Sequence, residues 1–303
     1  MLRDLLLYLS TQKHLRNWVE TSPLAGRLTS RFIAGNTLEE ALAVATRLNA
    51  EGLLVTLDHL GENVTSEVEA NASRDAYLQA LGRIGQLGLR ATVSIKLSQF
   101  GLAISEQLCR ENVAVVVEQA SRMRTWVEVD MEASRYVDAT LALVREMHSR
   151  HQAVRAVIQS YLRRSEHDIE QLCRDRIPVR VCKGAYKEDD SIAFPEKEQV
   201  DANYLRLSEI LLERGVYPGM ATHDPKMVQG VLDFASKRSI SPEQFEFQML
   251  YGIRRDLQRM LIRRGFRLRL YVPYGSAWYP YFMRRLAERP ANILFLARNL
   301  FRW

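Results

Sequence analysis

Short runs of apolar, largely β-branched residues recur along the chain, each separated from the next by a longer stretch with apolar positions at helical spacing. The runs are GLLVTLD (52–58), ATVSIKL (91–97), WVEVDM (126–131), AVIQSY (156–161), VRVCKG (179–184), VYPGMAT (216–222), EFQML (246–250) and LRLYV (268–272). Helical spacing is read at 65–87, 105–120, 134–150, 165–174, 198–214, 225–238, 253–264 and 277–288. Strand and helix in alternation predict a parallel sheet with helical crossovers, and eight such strands are the number that closes a (β/α)₈ barrel. Residues 51–303 are therefore expected to form one α/β barrel domain, with residues 1–50 a helical arm ahead of it. Asp224 before Pro225 reads as an N-cap with proline at the first helical position, and Ser241-Pro242 is expected to open a further helical turn in the same way.

Composition fits that picture without refining it: 47% hydrophobic and 26% charged residues belong to a soluble globular chain. The 42 Lys and Arg exceed the 36 Asp and Glu to give +6, much of it near the end in IRRDLQRMLIRRGFRLRLY and RNLFRW. That asymmetry favours anionic partners. Three cysteines, Cys109, Cys173 and Cys182, show no CxxC spacing, which argues against a disulfide framework or a thiolate zinc site and fits a reducing cytoplasm. The start, MLRDLLLYLS, reads as a helix rather than a signal peptide, and no apolar run reaches the roughly 18 residues of a membrane span.

In such barrels the active site lies at the carboxyl ends of the strands, so polar residues ending an apolar run carry the candidate chemistry. Lys96, Asp130, Gln159, Lys183 and Tyr271 occupy such positions, and His223 follows the sixth run. Lys96 alternates with Val93 and Ile95 and so takes the opposite face, with Asp130 available as its counter-ion. Glu128, Asp130 and Glu132 at spacing two are expected to point one way, three carboxylates answered by cations rather than by a metal. Arg180 and Lys183 place two cations in a strand that otherwise reads as buried, followed by Gly184 and Ala185, where a backbone could approach a planar ligand. Thr222, His223 and Asp224 sit where a strand turns into a helix, a place suited to phosphate. A capping role accounts for Asp224 by itself, whereas His223 has no local explanation in the sequence.

Arg284 and Arg285 lie one turn from Tyr281 and Glu288 in the segment after the last strand, and paired guanidinium groups suit a carboxylate. The pairs Arg163-Arg164, Arg254-Arg255 and Arg263-Arg264 lack that position and read as surface. GRIGQLG (82–88) has the wrong glycine spacing for a dinucleotide fingerprint and reads as part of a helix. His148 and His151 fit a helix C-terminus better than a metal site.

Taken in order, VSIKLS, VEVDME, VIQSYLRR, VRVCKGAY, ATHD, FEFQML, RLYVPYG and YFMRRLAE resemble the proline dehydrogenase family of flavin enzymes over roughly residues 50–290. The resemblance implies a distorted (β/α)₈ TIM barrel that binds FAD without a Rossmann domain, with a final helix over the barrel mouth. It also implies oxidation of L-proline to Δ1-pyrroline-5-carboxylate, the first step of proline degradation to glutamate, with electrons passed to a membrane quinone. By matching position it assigns Arg284, Arg285 and Lys96 to the proline carboxylate and Leu250, Tyr271 and Tyr281 to the pocket walls. Asp130 pairs with Lys96 and also borders the cofactor. Arg180, Gln159, Lys183, Gly184, Ala185, Lys197, Thr222, His223 and Glu288 fall to FAD. The segment AFPEKEQVD diverges from the family pattern, and the first 50 residues carry no motif of it. The size resembles monofunctional bacterial members, which implies a separate pyrroline-5-carboxylate dehydrogenase as partner. The segment ILFLARNLFRW is amphipathic and basic, which suits either peripheral contact with the inner membrane or a core-covering helix.

Two other functions compete for the same residues. A Schiff-base lyase or aldolase would use Lys96 or Lys183 as its nucleophile. A basic module for nucleic acid would leave Lys96 and Asp130 unexplained and is not expected.

Overall fold

The computed structural model describes residues 31–61, 64–279 and 281–283. Eight strands pair in parallel and in sequence order: β1 (Leu54–His59), β2 (Ala91–Lys96), β3 (Val127–Asp130), β4 (Val154–Gln159), β5 (Val179–Cys182), β6 (Gly219–Ala221), β7 (Glu246–Leu250) and β8 (Leu268–Tyr274). β8 returns to β1, from Leu54 opposite Arg269 to His59 opposite Tyr274, and closes the barrel. Each expected strand is present, with ends displaced by up to three residues. The fourth starts earlier than its apolar run suggests, because buried Arg155 belongs to it. The sixth is short because Tyr217 takes a positive φ of 43° and Pro218 follows it.

Helices alternate with the strands: α1 (Leu38–Ala50), α2 (Glu67–Gln86), α3 (Glu106–Arg122), α4 (Val137–His151), α5 (Ser165–Arg174), α6 (Lys197–Arg214), α7 (Pro225–Lys237) and α8 (Arg255–Arg263). α1 starts at a capping box: Thr37 Oγ1 accepts the Glu40 N–H at 3.3 Å, and the Glu40 carboxylate accepts the Thr37 N–H at 3.0 Å. It packs on β1 and β8. Asp224 caps α7 with Pro225 at the first position, as expected. Ser241-Pro242 does not open a helix. It makes one hydrogen-bonded turn in which Ser241 accepts from Glu243 and Gln244, and β7 begins two residues later.

The alternation of side chains in the strands divides the molecule. Val55, Leu57, Val93, Ile95, Val127, Val129, Phe247 and Leu270 belong to the apolar core that packs the strands against the helices. The alternate positions face the barrel axis and are mostly polar: Thr56, Ser94, Glu128, Arg155, Arg180, Glu246, Gln248 and Arg269 are all buried. A smaller cluster packs Phe32 and Ile33 against Leu60, Ile253, Trp278, Tyr281 and Phe282. Gly252, at φ +76°, lets this junction form: a Cβ there would lie 1.9 Å from the Arg31 carbonyl oxygen. Of the helix expected at 277–288, and of the arm at 1–50, residues 280, 284–288 and 1–30 lie outside the described residues.

Candidate active site

At the carboxyl end of the barrel, Lys96 and Asp130 stand side by side in register on β2 and β3. The Lys96 ammonium lies 3.3 Å from Asp130 Oδ2 and donates to Asp58 Oδ1 at 3.1 Å and to the Tyr271 hydroxyl at 3.3 Å. Tyr271 in turn donates to Asp130 Oδ2 at 2.7 Å, and Ser94 donates to Asp130 Oδ1 at 2.9 Å. Arg180 pairs with Asp130 on one side and with Glu128 at 2.8 Å on the other, and its guanidinium lies 5.5 Å from the centre of the Tyr271 ring. Four residues of four types, from β2, β5 and β8, thus converge on one carboxylate of β3.

The electrostatics follow from that packing. Burial works to raise the Asp130 carboxyl, but Arg180 and Lys96 outweigh it and hold it below its ordinary range. Burial prevails at Asp58, which is pushed up against the pull of Lys96, with Asp130 adding to the rise. The Tyr271 hydroxyl is driven well above its ordinary value, by burial first and then by Asp130. It therefore stays protonated and remains a hydrogen-bond donor at neutral pH.

Not all three expected carboxylates face the same way. Glu128 and Asp130 point into the barrel and are answered by cations. Glu132 lies beyond the strand end, where it accepts the Ser98 N–H at 2.9 Å, because the short 3₁₀ turn Leu97–Phe100 presents that donor to it. His223 does have a local role: its Nε2 accepts the Leu250 N–H at 2.8 Å, tying the end of β6 to β7. Nor is Asp224 explained by capping alone. Its Oδ1 accepts the Lys226 N–H at 3.0 Å while its Oδ2 accepts from Lys183 at 2.9 Å. Lys183 and Lys197 both pair with Asp201 on α6, so this rim is a half-buried cluster of two lysines and two aspartates. Of the arginines read as surface, Arg164 is more than that: it pairs with Asp168 at 2.8 Å and Asp138 at 2.7 Å.

Thr222 is buried at the end of β6 and accepts the Asp224 N–H. Leu250 ends β7 and packs on the cluster that contains Tyr281, which is itself buried. Gly184 and Ala185 are exposed just past β5. Gly184 has φ +101°, and a Cβ would lie 2.2 Å from the Tyr161 ring, so neither backbone nor space admits another residue. Arg284, Arg285 and Glu288 lie outside the described residues.

Asp58 and Asp201 are site residues that the sequence reading missed. Asp58 ends the first apolar run as Asp130 ends the third, which was signal enough; Asp201 stands at i+4 from Lys197. Gln159 donates to the Met131 carbonyl at 3.0 Å, while its Oε1 is buried with no partner. A buried acceptor without a donor is costly unless a ligand meets it. This orphan acceptor, the cation of Arg180 and the open backbone at Gly184 fit a planar heterocycle that carries N–H donors and acceptors. The lysines and Thr222 at the rim fit an anionic tail.

The family model described as proline dehydrogenase matches residues 41–298. Proline dehydrogenase 1 of Bacillus subtilis (strain 168) is 39% identical over 303 residues, covering 99% of this chain and 99% of that protein. Proline dehydrogenase of Deinococcus radiodurans is 39% identical over 280 residues, 90% of each chain. The bifunctional protein PutA of Escherichia coli (strain K12) is 27% identical over 317 residues, 88% of this chain but 24% of that protein. The crystal structure of proline utilization A from Bdellovibrio bacteriovorus superposes with a TM-score of 0.82 at 24% identity, over 95% of this chain and 36% of that one, which shows a shared fold.

Proposed function

The chain belongs to the proline dehydrogenase family, and from that premise we propose that it is an FAD-dependent enzyme that oxidises L-proline to Δ1-pyrroline-5-carboxylate and passes the electrons to a quinone. The observation that carries the reading is the convergence of Lys96, Asp130, Arg180 and Tyr271 at the carboxyl mouth of the barrel.

In this reading Arg284 and Arg285 grip the proline carboxylate as planar forks, and Lys96 completes the clamp. Asp58 and Asp130 hold the Lys96 ammonium in place. Leu250, Tyr271 and Tyr281 wall the ring of the substrate and exclude water. Holding a substrate in reactive geometry can account for about 7 kcal/mol or more of barrier lowering. Bound FAD supplies the hydride acceptor for the ring carbon next to nitrogen. Arg180 sets a fixed positive charge where the reduced ring would gather negative charge, and Asp130 fixes the direction of that guanidinium. Gln159 offers its free acceptor to the ring edge, and Gly184 and Ala185 let the backbone come close. Lys183, Lys197, Thr222, His223 and Glu288 take the phosphates and sugars.

The ion pairs count against the Schiff-base alternative. Lys96 commits donors to Asp58 and Tyr271, and Lys183 commits its own to Asp201 and Asp224, whereas an attacking amine needs a free lone pair. No helix among the described residues is long and apolar enough to cross a membrane. In this reading the enzyme is cytoplasmic and reaches its quinone by peripheral contact through residues 290–303. A separate pyrroline-5-carboxylate dehydrogenase takes the product.

The test is the visible spectrum of the purified protein followed by anaerobic addition of L-proline. A yellow protein that bleaches is the expected result. A colourless protein that takes up no added FAD would overturn the reading.

A further inference from the structure

The opposite, amino-terminal end of the barrel holds a cleft of about 450 Å³ walled by Trp126 and Tyr217 and edged by Arg90, Arg267 and Arg269. This face of a β/α barrel ordinarily serves stability, and part of this arrangement does. Arg155 and Arg269 both pair with buried Glu246, at 2.6 and 2.7 Å, and Arg155 stacks 4.6 Å from the centre of the Trp126 ring. Stability does not account for the rest. Arg90 and Arg267 are exposed and neither makes an ion pair among the described residues. The Arg90 guanidinium donates to the Asn49 carbonyl at 2.7 Å, and Arg267 lies 5.5 Å from the centre of the Tyr217 ring, hydrogen-bonds that side chain and feels the charges of Glu243 and Glu246. Each retains most of its five donors.

The charges at this end do not balance. Arg90, Arg155, Arg267 and Arg269 face three carboxylates, Glu243, Glu246 and Glu128, and Glu128 is shared with Arg180 from the other side. The indole N–H of wall residue Trp126, and behind the wall the Arg155 Nε–H, are buried with no acceptor. A concave, aromatic-walled site with surplus cations and unmet donors is a place for an oxyanion on a small organic body.

We infer that this cleft is a second ligand site, distinct from the catalytic mouth, which binds a small metabolite through a carboxylate or phosphate group held by Arg90 and Arg267. Trp126 and Tyr217 pack the body of that molecule, and Arg269 lends its field from the floor.

Titrating the full chain in the absence of proline with inorganic phosphate and, separately, with succinate tests the inference, with chloride used to hold ionic strength constant. Calorimetry is expected to show saturable binding of at least one anion with a dissociation constant of about 1 mM or tighter. The tighter of the two names the source of the oxyanion. Binding should perturb tryptophan fluorescence in the native chain and not in Trp126→Phe. The double variant Arg90→Gln/Arg267→Gln should bind at least about tenfold more weakly, while Arg267→Lys alone retains part of the affinity. The native thermal melt expected of the double variant excludes unfolding as the cause. Absence of saturable binding by both anions, or a double variant that binds as the native chain does, overturns the inference. Neither outcome depends on flavin or proline, so it is separable from the catalytic reading.

Discussion

Asp58 and Asp130 share one lysine but carry unequal loads. Asp130 answers Arg180, Lys96, Tyr271 and Ser94, whereas Asp58 pairs with Lys96, with a weaker contribution from Tyr271, and its second oxygen is buried without a hydrogen bond. Removing one member of a buried pair strands the other, so Asp130→Ala is expected to cost about 3–5 kcal/mol and Asp58→Ala distinctly less. Urea unfolding of the two variants checks the order; equal losses would refute it. At the clamp, Arg285→Lys keeps the charge and loses the planar fork, so the KM for proline should rise by about tenfold or more. An unchanged KM would remove Arg285 from the carboxylate site. Most of the mouth was legible at this scale, because a polar residue that ends an apolar run has no ordinary structural reason to be there. Arg155, Glu246 and Arg269 were not, since a charge at the start of a strand reads alike whether it meets solvent or a partner across the barrel. Only closure makes it a partner.

The elements are more legible than the joints between them. Period-two and helical spacing mark the strands and helices well because burying one face dictates both patterns. Turn geometry follows single residues instead, which is why Ser241-Pro242 gave a turn and no helix. Gly184 shows how much one joint can matter. It lies two residues past β5, at φ +101° under the Tyr161 ring, and the next residues are exposed. Gly184→Ala should therefore destabilise the chain by about 1–3 kcal/mol and weaken FAD retention. Thermal melts with and without added FAD measure both effects. A variant as stable as the native chain would show that the loop can yield.

Across the whole molecule, the buried charges set the response to acid. Burial works to raise the Glu246 carboxyl, but Arg269 and Arg155 outweigh it and hold it below its ordinary 4.5. Asp130 is held below its ordinary 3.8. A carboxyl depressed in the folded state adds stability that is present above its unfolded pKa and lost as pH falls through the folded one. Asp58, raised by burial, works the other way: its contribution is greatest below its unfolded pKa and fades as pH rises. With two strongly paired groups against one, stability should hold above about pH 5 and fall below about pH 4. Glu246→Gln should narrow the gap to the native chain as pH falls. Urea midpoints between pH 3 and pH 7 test this, and a gap that stays constant would contradict it.

Those same charges, bridged by the Gln248 amide, run as an unbroken series along the barrel axis, from Arg269 through Glu246 and Gln248 to Arg180 and Asp130. Moving any contributing strand by a single residue would swing its member of the series outward among the aliphatic side chains beneath the helices. The remaining members would then be stranded inside the barrel. An apolar interior would forgive such a slip; this one rejects it, so the axial charges proofread the assembly of the barrel before any substrate arrives.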